Sequence, residues 1–328
     1  MGAVHALRNR LRSQRLSAVA LALLLLSIPG CSHSPPAPNL PGDADPKSTH
    51  QLAPGPAGQA FLKSISTYQW GDQSGRITAW FQWIPGAASA PNPDDRARAA
   101  ETSHTIAAFL ADNADSLQQL GSINPALTQS YTMAVVPFLG SLVTKDPLTP
   151  QFPPLNALDD AMPKTRTLLS VLGSDPTSSL ILGQAIDRQI ARYQDDLSEA
   201  VRRQPTEPAE TNEPALAIAR LIALAGTAGV RSPDPNANWS QGIEETELNF
   251  IVARATAAGP NADIPPKYFT NGSALMPPSR VRLQFGEAAW ADYSAMLSAF
   301  VSRISNQRAA IDEFNRMCSI IKAGAHPR

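Results

Sequence analysis

The chain of 328 residues carries 27 Lys and Arg against 28 Asp and Glu, and 43% of its residues are hydrophobic. A net charge of −1 argues against a general nucleic-acid-binding protein, because such proteins need a surplus of basic residues on one face. Two cysteines are too few for a disulfide-rich scaffold, and the length suffices for one large domain or two modest ones. Proline, at 30 residues, is roughly twice as frequent as usual.

Residues 1–30 have the features of a secretory signal peptide. Four arginines and no acidic residue precede an apolar run, LSAVALALLLLSI, that is too short for a membrane-spanning helix. The run ends in Ile28-Pro29-Gly30-Cys31, which resembles the lipobox of bacterial lipoproteins. The resemblance implies that the Cys31 thiol receives diacylglycerol, that the signal is cleaved before Cys31, and that the palmitoylated lipoprotein stays on the extracytoplasmic face of the cell membrane. The alternative is that Cys31 is an ordinary cysteine beside a signal peptide.

Residues 31–58 are predicted to be the lipid anchor and a proline-rich tether. Residues 32–58 contain seven prolines and almost no apolar bulk, so they cannot bury enough surface to offset the entropy of ordering. We expect a disordered tether, and we assign His33 and His50 to it. Without the four signal arginines, 23 basic residues face 28 acidic ones, and the net charge of −5 disfavours a second contact with anionic lipid.

Residues 59–230 carry the apolar periodicity of an all-α, multi-helix globular domain. Asn124 is predicted to cap a helix that begins at Pro125, and Pro137 should kink that helix. A proline-rich loop is expected near 145–163 and a polar linker at 204–212. The other helices are predicted over 93–113, 165–172 and 175–203.

An aromatic segment near the start of this domain has two interpretations. Trp80, Phe81 and Trp83 either anchor the core of the first helices or form a stacking platform for a sugar or peptide ligand. The four-residue spacing of Trp80 and Ile84 is typical of neighbours on the buried face of a helix. The pattern therefore favours a core anchor.

The stretch 215–230 is almost wholly apolar apart from Arg220. It is either a buried central helix or a second membrane contact. Sixteen residues with an internal arginine are too short and too costly to span a bilayer, so we expect a buried helix.

Residues 231–328 are expected to form a C-terminal helical part that packs on the same domain. Helices are predicted over 239–258 and 287–321, and a single short strand over 280–285. Cys318 shares the apolar stripe of Ile304 and Ile311 on the last helix. This position indicates a buried, inert thiol.

Candidate catalytic residues are few. His104 is the one histidine within the predicted helical domain, on a capped amphipathic helix where a packed or half-exposed histidine is commoner than a catalytic base. The sequence has no motif of a serine hydrolase, a nucleotide-binding loop or a zinc protease, and no cysteine pair or histidine cluster with zinc-ligand spacing. We therefore predict no catalytic, cofactor or metal residues. The remaining acid and base candidates are Asp159-Asp160, Asp195-Asp196 and Glu244-Glu245-Glu247, which favour solvated faces.

Several stretches resemble one known family. They are YQWGDQSGRITAWFQWI (68–84), AAETSHTIAAFLADN (99–113), INPALTQSYTMAVVPFLGSLV (123–143), LLSVLGSDPTSS (168–179) and AIDRQIARYQDDLSEA (185–200). In this order they look like the helical region of actinobacterial TPR-repeat-region proteins, over roughly residues 60–230. The resemblance implies an all-helical domain of unassigned biochemical role. The chain has no 34-residue period, so the residues themselves do not support a repeat architecture.

The sequence favours a non-enzymatic, lipid-anchored envelope lipoprotein whose helical domain binds another protein or scaffolds an assembly. The expected partners are the membrane, through lipid on Cys31, and an envelope or secreted protein, without nucleic acid or cofactor. One alternative is a carrier whose apolar helices near 168–230 enclose a lipid or other apolar ligand. A third hypothesis is an envelope hydrolase that uses His104 or the acidic groups.

Overall fold

The structure is a computed structural model that describes residues 37–325, with the exception of 41–43, 53, 204–208, 233–244, 258 and 273. For the helical residues 209–211 and 305–309, only the backbone is described. Helices make up 74% of the structure and strands 2%, which confirms the predicted all-α globular class. The predicted signal peptide, the lipobox and Cys31 lie outside the described residues.

The α-helices follow one another with short connections, several of them 3₁₀ turns. In chain order they are α1 (Pro46–Leu52), α2 (Gly55–Thr67), α3 (Ser74–Thr78), α4 (Trp83–Ala88), α5 (Pro93–Asp112), α6 (Leu120–Ile123), α7 (Pro125–Val135), α8 (Leu139–Val143), α9 (Pro163–Leu172), α10 (Pro176–Arg203), α11 (Ala209–Ala228), α12 (Glu245–Thr256), α13 (Pro278–Ser302) and α14 (Ser305–Gly324). A two-stranded antiparallel hairpin, β1 (Phe269–Thr270) and β2 (Ala274–Leu275), separates α12 from α13.

The folded region begins before the predicted boundary at residue 59. Asp45 accepts hydrogen bonds from the backbone of Lys47 and Ser48 at 2.9 and 3.0 Å and so caps α1, which packs on α5. The Asp45 pKa is lowered, first by the hydrogen bond from the Ser48 hydroxyl. His50, assigned above to the tether, lies 3.2 Å from the Thr102 hydroxyl through its Nδ1. The tether boundary was misplaced because Pro46 and Pro56 stand in the first turns of helices, where proline is tolerated.

The aromatic segment is the core anchor that its spacing predicts. Trp80 and Phe81 are each 2% exposed, so a ligand-stacking platform made of these two rings is excluded. The Trp80 ring lies 5.5 Å from that of Phe61, and the Phe81 ring lies 5.1 Å from that of Tyr131. Trp83 is half-buried, and its indole N–H donates to the carbonyl of Trp80 at 3.0 Å. The three residues therefore join α2, α4 and α7 to one core.

Asn124 does not cap α7 with its side chain, which corrects the prediction. The side chain instead holds the connection between α2 and α3. Its Oδ1 accepts the backbone N–H of Trp70 at 3.1 Å, and its Nδ2 donates to the carbonyls of Ser66 and Tyr68 at 3.2 and 2.7 Å. Because Asn124 is 4% exposed, each of these bonds replaces water in the interior.

The central helices follow the sequence pattern closely. Asp175 caps α10 by accepting the N–H of Ser178 at 2.8 Å, and a 3₁₀ turn at Val136–Phe138 breaks the helical path at Pro137 as predicted. Helix α11 is buried along 215–225 except at the partly buried Leu216, which confirms a buried central helix. Among the described residues, Pro125–Val143 is apolar and long enough to cross a membrane, but 61% of it is buried, as is also true of core helices in globular proteins.

The C-terminal part differs from prediction in two places. Residues 280–285 belong to α13 and are not a strand: the apolar alternation was misleading, because Pro277 and Pro278 start a helix there. Gly286, with φ of 84°, interrupts that helix. The predicted final helix is two helices that break at 303–304. Helix α14 packs on α11, and the Cys318 thiol lies buried, 3.7 Å from the carbonyl of Ala219, where burial raises its pKa to about 11.

Candidate functional site

A groove with two parts runs along one face of α10; we call it the α10 groove. The large part has a volume of about 460 Å³ and the small part about 270 Å³, and Pro137, Gln189 and Arg192 line both, so the two parts adjoin. The large part is lined by Pro137, Gly140, Ser141, Thr144, Lys145, Asp146, Pro147, Gln189, Arg192, Tyr193, Asp196, Glu213 and Pro214. The small part is lined by Pro85, Ala88, Ser89, Val136, Pro137, Ala185, Arg188, Gln189 and Arg192.

Three prolines line the large part of the groove opposite α10. Pro137 ends α7 in a 3₁₀ turn, Pro147 lies in the loop that follows α8, and Pro214 lies inside the first turns of α11. Proline removes a backbone donor and disturbs the regular surface of a helix. The continuous helix α10 forms the opposite wall, and its lining residues at 185, 188, 189, 192, 193 and 196 recur at three- and four-residue spacing.

Gly140 lets α8 approach α10 closely at the centre of the large part. A Cβ at this position would lie 3.1 Å from the Tyr193 hydroxyl and 3.2 Å from Nε2 of Gln189. The Tyr193 hydroxyl donates to the carbonyl of Gly140 at 3.4 Å. Burial raises the Tyr193 pKa, and hydrogen bonds with Thr144 and Gln189 act in the opposite direction. Tyr193 is therefore neutral at physiological pH, and its hydroxyl is a hydrogen-bonding group in the groove wall.

Two of the three groove carboxylates already have intramolecular partners. Glu213 lies 3.0 Å from the guanidinium of Arg220, which is 4% exposed and also donates to the carbonyls of Val143 and Leu158 at 2.8 and 2.9 Å. Asp146 accepts the N–H of Leu148 at 2.8 Å and so closes the loop after α8. These two acids hold the groove wall in place, whereas the third, Asp196, is exposed.

The groove cations lack such partners. In the part of the chain that the structure describes, Lys145, Arg188 and Arg192 have no carboxylate within 4.0 Å, and Arg192 donates only to Oε1 of Gln189, at 3.2 Å. The groove therefore presents cationic groups that its own residues do not neutralise.

The residues proposed for catalysis do not meet in this groove. His104 lies on α5, with its ring edge-on to that of Phe152 at 5.3 Å, and burial lowers its pKa. Asp159, Asp160 and Asp195 are exposed, and only Asp196 of the candidate acids lines the groove. Glu244 lies outside the described residues. The structure brings His104 within hydrogen-bond distance of none of these described acids.

The sequence contains one signal for the groove, a row of charged residues on α10. Arg188, Arg192 and Asp196 follow one another at four-residue spacing on the polar face of α10, a pattern that usually indicates a solvated helix surface. The surface becomes a groove wall only because α4, α8 and α11 close around it, and those contacts are long-range. Within the described residues, no group of three or more His, Cys, Asp or Glu could hold a metal ion.

Comparison of the chain with protein-family models, curated proteins and solved structures gave no match. The resemblance of residues 60–230 to TPR-repeat-region proteins therefore stays a prediction from the sequence.

Proposed function

We propose that this protein is a lipid-anchored lipoprotein on the extracytoplasmic face of the cell envelope, and that its helical domain binds an extended segment of a partner protein in the α10 groove. The proposal concerns binding without a chemical step. It is supported by the lipobox pattern at Cys31 and by the form of the groove.

The observation that carries the binding proposal is the length and lining of the groove. From Ala185 to Asp196 the groove follows α10 for eleven residues, which is about 16 Å at the helical rise of about 1.5 Å per residue. An extended peptide covers this distance with about five residues. The lining alternates proline and alanine surfaces with amide, hydroxyl and charged groups, which suits a peptide better than a wholly apolar ligand.

The proposed anchor sets how far the folded part can lie from the bilayer. Because Leu40 already packs against the hydrophobic core, at most residues 32–39 separate Cys31 from the folded part. At about 3.1 Å per residue, their stretched limit is about 25 Å. The proposed partner is therefore an envelope protein, or a secreted protein that crosses the envelope, and it meets the folded part close to the membrane.

The anchor is tested by replacing its acceptor. Cys31→Ala should abolish incorporation of labelled palmitate and release the protein from membranes, because the thiol is the attachment point. Cys318→Ala is the matched control, since it removes the other cysteine and should leave labelling unchanged. Equal labelling and fractionation of the Cys31→Ala variant and the unaltered protein would show that the lipobox assignment is wrong.

Partner binding is tested by photocrosslinking in intact cells. A photoreactive amino acid replaces Lys145, which lines the groove, or Leu180, which lies on α10 outside the groove and is 44% exposed. We expect a discrete crosslinked protein from position 145 that position 180 does not give. The same products from both positions, or no product from 145, would contradict a partner in the groove.

A further inference from the structure

The two parts of the α10 groove differ in charge. All three groove carboxylates, Asp146, Asp196 and Glu213, line the large part. The small part is lined by two guanidinium groups, those of Arg188 and Arg192, and by no acidic residue. The charged residues that line the small part are therefore both basic, although Arg192 also lines the large part and the chain as a whole carries a net charge of −1.

Arg188 and Arg192 occupy neighbouring positions on α10. Residues four apart on a helix have Cβ atoms about 6 Å apart, and like charges at this spacing repel each other. The structure describes no carboxylate within 4.0 Å of either side chain. An anion between the two guanidinium groups would convert this repulsion into two attractive contacts.

The surroundings orient one of the two donors. Ala88, Val136 and Ala185 add apolar surface beside the two guanidinium groups, which themselves are exposed to solvent. Oε1 of Gln189 accepts a hydrogen bond from the Arg192 guanidinium at 3.2 Å and so orients that guanidinium along the axis of α10. Guanidinium groups bind planar carboxylates through two parallel N–H···O bonds, and this geometry gives specificity as well as attraction.

We infer that the small part of the α10 groove, with Arg188 and Arg192 as its donors, is a receptor for a carboxylate on the partner's peptide segment. This inference rests on the proposed function, because it names the chemistry of the segment that the groove accepts. The carboxylate belongs either to a Glu or Asp side chain or to the C-terminus of the segment, and the guanidinium pair treats the two alike.

The test uses the full chain, purified in an uncharged detergent, and three labelled peptides followed by fluorescence anisotropy. The first peptide contains glutamates and ends in an amide, the second replaces the glutamates by glutamines, and the third is the glutamine peptide with a free C-terminal carboxylate. We expect the first or the third to bind about tenfold more tightly than the second. Whichever of the two binds more tightly identifies the source of the carboxylate.

The double variant Arg188→Gln/Arg192→Gln should bind all three peptides equally. The matched control is Arg202→Gln/Arg203→Gln, which makes the same charge change on the same helix where Glu199 lies within 3.5 and 3.9 Å of the two arginines, outside the groove. The control should keep the preference for carboxylate. Two results would overturn the inference: no preference in the unaltered chain, or an equal loss in both double variants.

Failure of this inference is distinguishable from failure of the proposed function. If the partner crosslinks from position 145 as strongly in the Arg188→Gln/Arg192→Gln variant as in the unaltered chain, the groove binds a partner but not through these arginines. If no partner crosslinks while the peptide preference is present, the carboxylate receptor stands and the protein partner does not.

Discussion

Arginine occupies two contrasting environments in this protein. In the interior, Arg220 is 4% exposed, and its guanidinium is shared among the carbonyls of Val143 and Leu158 and the carboxylate of Glu213. In the α10 groove, Arg188 and Arg192 are exposed and have no acidic partner in the described part of the chain. The first environment uses the charge to hold the fold together, while the second leaves it available to a ligand. Stability and binding should therefore respond to different arginines.

The largest effect is expected at Arg220. The variant Arg220→Ala leaves the carbonyls of Val143 and Leu158 without their donor inside the protein, and it opens a cavity between α11 and the loop after α8. We expect the free energy of unfolding to fall by about 3 kcal/mol, less than for a fully buried ion pair because Glu213 is half-exposed. Urea denaturation followed by circular dichroism measures the change.

Arg220→Met is the companion variant, because it retains most of the side-chain volume. If the polar contacts carry the stability, Arg220→Met loses most of what Arg220→Ala loses. A full recovery of stability in Arg220→Met would show that volume, not hydrogen bonding, is what the interior needs at this position.

The second interior group that we expect to matter is the amide of Asn124. Asn124→Ala removes the partner of the Trp70 N–H and of the Ser66 and Tyr68 carbonyls, so we expect a loss of about 2 kcal/mol by the same measurement. Asn113→Ala serves as control, since the half-buried Asn113 side chain makes one bond, to the carbonyl of Phe109. Equal losses of unfolding free energy in the two variants would mean that the three hydrogen bonds of Asn124 contribute no more than the single bond of Asn113 at the end of α5.

The contrast between these residues shows which side-chain contacts can be predicted from the sequence. Local signals were sufficient for α5 and α10, because Asn92 and Asp175 cap their own helices within three residues. Asn124 carries the same capping signal, yet its side chain bonds to residues more than fifty positions away. A cap is a local property, whereas the competition for the amide depends on which segments pack beside it, and one sequence does not record that packing.

The same limit applies to the groove and to the start of the folded region. The arginines of α10 were visible as a polar helix face, but Pro85, Pro137 and Glu213 approach them only through tertiary contacts. Helix α1 was missed because the average composition of residues 31–58 hides a seven-residue helix that is stabilised by α5. Periodicity identifies a buried face; it does not identify which exposed faces become concave.

The pH dependence of the free energy of unfolding tests whether the His104 imidazole is desolvated in the interior. The unfolded chain titrates this imidazole near its ordinary pKa of about 6.5, and burial lowers the pKa in the folded protein. Between the two values the unfolded state binds more protons, so the contribution of His104 is fully present above about pH 6.5 and is lost as the pH falls through the lowered pKa.

The measurement is the free energy of unfolding at a series of pH values from about 8 to about 5. His104→Gln should make the curve flatter over the acidic part of this range while leaving a constant offset above it. Curves that stay parallel throughout would show that the imidazole is not desolvated in the folded protein. The expected effect is smaller than those at Arg220 and Asn124, because His104 is only half-buried.

The smallest effect on stability is expected from the groove. Arg188→Gln/Arg192→Gln removes no ion pair within 4.0 Å among the described residues. It removes the repulsion between the two arginines together with the attraction of Arg192 to Asp196 one helical turn away, so the free energy of unfolding should change by less than about 0.5 kcal/mol. Raising the salt concentration should make the change smaller still, since interactions between exposed charges are screened. A loss above about 1 kcal/mol would mean that these arginines support the fold as Arg220 does. Their charge would then not be available to a ligand. The contrast between a paired arginine in the interior and arginines without an acidic partner in the groove would be wrong.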